Sequence, residues 1–89
     1  MQNFYQVIGQ IANKEDGLTG ELDYVKRCLT FKEAVKIADK MWSEFENNPN
    51  YKYGIIAIEK NLYKKDEYGN WEFENHLNTY FKTTSGNWE

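Results

Sequence analysis

The chain has 89 residues, 17% of them aromatic, and carries ten Lys and one Arg against fourteen acids, a net charge of −3. A chain this short buries only about 60–65% of its unfolded surface, so its core must come from one domain and from large side chains. No run approaches the roughly 20 apolar residues of a membrane span, and the acidic balance argues against a nucleic-acid backbone as partner.

The start lacks the basic-then-apolar pattern of a secretory leader, and Gln2 stands where N-myristoylation needs Gly. Cys28 is the only cysteine, so there is no disulfide frame and no thiolate metal cluster. A small domain without paired cysteines is expected in a reducing, cytoplasmic setting.

Residues Phe4 to Ile11, FYQVIGQI, mix β-branched and aromatic residues in partial alternation and predict a strand. Gly9 is expected to mark a bulge or a close approach. Asn13 to Gly20, NKEDGLTG, reads as turn chemistry. Glu21 to Leu29 predicts a second strand, with Leu22, Tyr24 and Cys28 inward and Lys26 interrupting the row.

The most strongly patterned stretch is Leu29 to Asn48. Thr30 and Glu33 form a capping box, in which hydroxyl and carboxylate satisfy backbone donors that a helix start leaves unpaired. Phe31, Ala34, Val35, Ala38, Met41, Trp42 and Phe45 then follow at helical spacing and define one apolar stripe. Asn47, Asn48 and Pro49 are the expected stop, because proline disfavours helical geometry in the residue before it.

Tyr51 to Lys65 follows, with the continuous apolar run Ile55 to Ile58 expected at the centre of a sheet. Asp66 to Asn70, DEYGN, is a turn, and Trp71 to Phe81 returns as a strand, Trp71, Phe73, Asn75, Leu77 and Thr79 alternating with Glu72, Glu74, His76, Asn78 and Tyr80. Lys82 to Glu89 reads as a loose tail apart from Trp88. The fold class is therefore α+β in the order β-β-α-β-β: a mostly antiparallel sheet with one amphipathic helix on one face. The tip of the last hairpin is expected to extend past the area that the helix covers.

Four chemistries compete for this frame. The hairpin is split in charge, four Lys and one Glu in its first strand against five acids and one Lys afterwards. Cross-strand pairing accounts for this at about 0.2–1 kcal/mol per pair; the functional alternative is that Glu72 and Glu74, beside Trp71 and Phe73, imitate a phosphate backbone or meet a basic partner. Fifteen aromatics exceed what one helix and one sheet can cover. Tyr63, Tyr68 and Trp71, with Glu72 and Glu74 just after them, are the expected partner-binding residues, since surface Trp and Tyr anchor protein interfaces. Trp88 is expected either as another surface anchor or as a cover for the sheet edge.

A small phosphorylated ligand is the alternative, held by Tyr24, Lys26 and Arg27 ahead of the helix start, where free backbone donors favour an anion. The capping box already occupies that helix end and opposes it. Catalysis has few members to draw on: Cys28 with His76 is formally a dyad, but Cys28 sits in an apolar strand pattern. Glu72, Glu74 and His76 form an i, i+2, i+4 row that a metal could use, exposed along a strand. We expect neither an enzyme nor a cofactor. A homo-oligomer fits a small domain with surplus aromatics and exposed sheet edges.

In outline, LTFKEAVKIADKM after a strand, then YGIIAIEK and a polar hairpin, resembles small orphan proteins of bacteriophages and mobile elements. That resemblance implies a stoichiometric inhibitor of a host enzyme or defence system, acting by protein contact or by sequestering a signalling nucleotide.

Overall fold

The computed structural model describes the backbone of residues 1–13, 17–18, 23–46 and 51–89, and the side chains of 1–10, 26–44 and 56–89. Its elements are β1 (Gln2–Asn13), β2 (Gly17–Leu18), β3 (Asp23–Cys28), α1 (Phe31–Glu46), β4 (Tyr51–Lys65) and β5 (Trp71–Phe81). The expected stop at residues 47–49, Leu22 and most of the turn around residues 14–20 lie outside the described residues. Within that turn, Gly17–Leu18 is not loop but pairs with Ala12 and Asn13 as the short strand β2.

All strand pairs are antiparallel. β1 and β4 are the inner strands, β5 lies on the outer edge of β4, and β2 and β3 succeed one another along the outer edge of β1. This is the α+β sheet-and-helix layer expected, with the apolar run of β4 at its centre: Ile56, Ala57 and Ile58 are buried. Gly9 is not a bulge. It is buried in regular register opposite Asp23 and Ile56, and the extra residues in the pairings of β1 are Val25 and Gly54.

The helix forms where the capping box places it. Thr30 Oγ1 accepts a hydrogen bond from the Glu33 N–H at 3.2 Å, a cap of the kind that contributes about 0.5–2 kcal/mol. Ala34 and Ala38 are fully buried, and small side chains there let the helix axis come close to the sheet. Around them Val7, Cys28, Met41, Ile56 and Ile58 form the main core, with Tyr5, Phe31, Val35, Ile37, Trp42 and Tyr80 packed at its margin. Phe31 sits between the rings of Tyr5 and Tyr80, at 5.6 and 4.8 Å between centroids.

The C-terminal segment is not a loose tail. Phe81 and Glu89 exchange both backbone hydrogen bonds at 3.0 Å, and the Thr83 N–H donates to the Asn87 carbonyl at 2.7 Å. Gly86, at φ 91°, supplies the left-handed position that closes this turn. Trp88 is thereby returned to the helix side and is only 6% exposed. Burial of the indole and the backbone hydrogen bonds of the turn together offset the ordering of this segment.

Candidate functional site

The hairpin turn follows its sequence. Asp66 Oδ1 accepts from the N–H groups of Tyr68 (2.9 Å) and Asn70 (2.8 Å), and Gly69 takes φ 82°. Asp and Gly are favoured at these positions for these two reasons, a side chain that imitates a backbone acceptor and a residue without Cβ.

Beyond the turn the simple alternation of β5 fails. The pairing of β4 with β5 shifts twice, leaving Leu77 and Glu74 as extra residues on β5. Each bulge moves the next side chain to the other face. Trp71, Phe73, Thr79 and Phe81 keep the face that alternation gives them, turned away from the helix and opposite Lys65, Tyr63, Glu59 and Ala57, and the bulges bring His76 onto it, opposite Asn61, in place of Asn75 and Leu77.

That helix-free face carries two side-chain groups. The first is aromatic: the Phe4 ring meets Tyr63 at 5.2 Å and Trp71 at 5.3 Å, both edge-on, and Tyr63 meets Phe73 at 5.9 Å. The guanidinium of Arg27 lies over both Phe4 (4.8 Å) and Tyr63 (5.0 Å), and the Lys65 ammonium stands over Trp71 at 5.1 Å. Phe4 and Tyr63 are buried on this face, away from the helix. Phe73 is 58% exposed, Phe81 52%, and Tyr68 at the turn 80%.

The second group is polar. His76 Nδ1 is 2.7 Å from Asn61 Oδ1 and 3.4 Å from the Glu59 carboxylate, while Nε2 is 2.8 Å from the Thr79 hydroxyl. Two acceptors at Nδ1 require that nitrogen to carry the proton.

The residues expected to bind a partner are therefore divided. Tyr63 is buried rather than exposed, because Phe4, Phe73 and Arg27 surround it. Trp71 is half-buried against Phe4, and Tyr68 is free at the tip. Glu72 pairs in register with Lys64, and Glu74 takes the Lys64 ammonium at 3.2 Å, on the strand positions between the aromatic ones. The cross-strand charge pairing is thus present at the hairpin end. Phe73 and Phe81 are exposed instead; alternation puts them on the Trp71 face, but nothing in the sequence said that the helix leaves this face uncovered.

Lys26 and Arg27 do not converge. Arg27 stacks on the helix-free face, whereas Lys26 lines a cleft against α1, and the Tyr24 side chain lies outside the described residues. Cys28 and His76 are likewise on opposite faces, and the bulges separate His76 from Glu72. Burial pushes the Cys28 thiol upward, the Glu33 charge adds to that rise and Lys26 opposes it. Among the described residues no helix is long and apolar enough to cross a membrane.

Comparison of the chain with protein-family models, with curated proteins and with solved structures found no match.

Proposed function

We propose that this protein is a non-catalytic binding module that meets a protein partner through the helix-free face of the β4–β5 hairpin. Phe73, Phe81 and Tyr68 are the anchors and Trp71 and Tyr63 the packed floor near the hairpin end, while Glu72 and Glu74 are turned to Lys64 on the other side of the strand. One observation carries the reading: Phe73 and Phe81 are more than half exposed on one sheet face, and Phe73 stands edge-on to the Tyr63 ring that Phe4 and Arg27 hold in place. Rigid, pre-packed aromatic area loses little freedom on binding, which is where interface hot spots concentrate. The outline resemblance to phage and mobile-element proteins supports an inhibitor acting on a host enzyme or defence protein. The lone thiol of Cys28 supports a cytoplasmic setting.

The test is site-specific photocrosslinking in the native cells. p-Benzoylphenylalanine at Phe73 should capture one discrete protein, whereas the same group at Lys36, on the exposed side of α1, should not. Phe81→Ser in the Phe73 probe should remove the crosslinked species. Equal capture from both positions, or capture unaffected by Phe81→Ser, overturns the assignment.

A further inference from the structure

The helix side of the molecule holds a second feature, unrelated to the aromatic face. A cleft of about 370 Å³ opens between α1 and β3, lined by Lys26, Ile37, Lys40, Met41 and Glu44. The four helical positions are i, i+3, i+4 and i+7, one continuous stripe facing a single strand residue. The volume lies at the lower end of the ~300–1,000 Å³ typical of small-molecule sites.

We propose that this cleft binds a small apolar molecule carrying one negative charge, such as a medium-chain carboxylate or an aryl sulfonate. Ile37 and Met41 supply the apolar part of the lining, and both pack on the core. Met adapts its unbranched thioether to an apolar guest of irregular shape. Two lysines share the lining, and among the described residues neither Lys26 nor Lys40 makes an ion pair. Cations over apolar surface are poorly satisfied by water on one side and gain from a ligand that brings both an anion and a tail.

Glu44 narrows the class. Two Lys and one Glu leave the lining with one net positive charge, enough for a monoanion. A phosphate monoester, with close to two negative charges, would meet the Glu44 carboxylate without a third cation. The cleft therefore selects against phosphorylated ligands in favour of carboxylates and sulfonates.

Isothermal titration calorimetry with decanoate, decanol and AMP tests this on the intact protein. Decanoate should bind saturably at one site per chain, and decanol and AMP at least tenfold more weakly. Lys40→Ala and Lys26→Ala should each weaken decanoate binding about tenfold; Lys40 and Lys26 are exposed, so both variants should keep the wild-type melting temperature. Lys36→Ala, away from the cleft, should leave binding unchanged. No saturable decanoate binding, equal loss in all three variants, or AMP binding as tightly as decanoate each overturns the proposal. Because Phe73 and Phe81 lie on the other face, their crosslinking result is independent of this one.

Discussion

Trp88 Nε1 donates to Asp39 Oδ1 across 2.9 Å, joining the last turn of the chain to the middle of the helix 49 positions earlier. The same oxygen accepts from Lys82 Nζ at 2.9 Å, and the Lys82 ammonium lies over the rings of both Trp42 (5.5 Å) and Trp88 (5.7 Å). The two indoles meet edge-on at 6.5 Å. A segment of eight residues is thus locked by one buried ring and one shared carboxylate.

Trp88→Ala should cost about 3–5 kcal/mol, the usual range for emptying a buried aromatic site. Urea unfolding followed by far-ultraviolet circular dichroism would read it as a lower midpoint with unchanged slope. A loss below about 1 kcal/mol would mean that Trp88 does not complete the core.

The latch also has a pH signature. Partial burial acts to raise the Asp39 carboxyl, but the hydrogen bonds from Trp88 and Lys82 outweigh it, and the group sits below its ordinary value. A carboxyl depressed in the folded state contributes stability above the unfolded value, and that contribution is lost as pH falls through the folded value. Asp39→Asn should therefore flatten the fall in urea midpoint below about pH 4. The effect will be modest, because the side chain is half exposed and partly screened. An identical acid profile in wild type and Asp39→Asn would show that the carboxylate is not differentially bound.

Asn61 is a polar side chain buried at the sheet centre, 5% exposed, and His76 Nδ1 is its partner. His76→Ala should destabilise by about 1–3 kcal/mol, since it strands a buried acceptor. Adding Asn61→Leu to that variant should return part of the loss, and a double-mutant cycle would report the coupling. Additive effects would place the two side chains outside a common network.

Cys28 should be inert while the protein is folded. Burial and the nearby Glu33 charge both hold the thiol protonated, against a smaller opposing effect of Lys26. Alkylation by iodoacetamide at pH 8 should run slower than in urea by on the order of 10³-fold or more, set by the opening equilibrium. A native rate within tenfold of the unfolded one would remove Cys28 from the core.

Local chemistry was legible in the sequence where one or two residues decide a conformation. Thr30 starts the helix, and Asp66 with Gly69 makes the hairpin turn. Ile56 to Ile58, an unbroken apolar run, declares an inner strand. What sequence could not show is which residue a strand leaves unpaired. Leu77 and Glu74 carry no marker of a bulge, yet they decide that His76 shares the face of Phe73 and leaves that of Glu72. The burial of Trp88 was hidden for a related reason, because it depends on Asp39 and Trp42 approaching from a distant element. Of the proposed partner face, Tyr68 and Trp71 were named from residue type, whereas the exposure of Phe81 depends on which face the helix covers.

The two bulges have another effect. An outer strand of eleven residues with a regular row of free N–H and C=O groups invites other chains to add to it and to grow into fibres. Interrupting that row at Glu74 and Leu77 leaves an incoming strand only short, mismatched stretches to follow. The irregularity that turns His76 onto the helix-free face thereby also guards the outer edge of the sheet against templated strand addition.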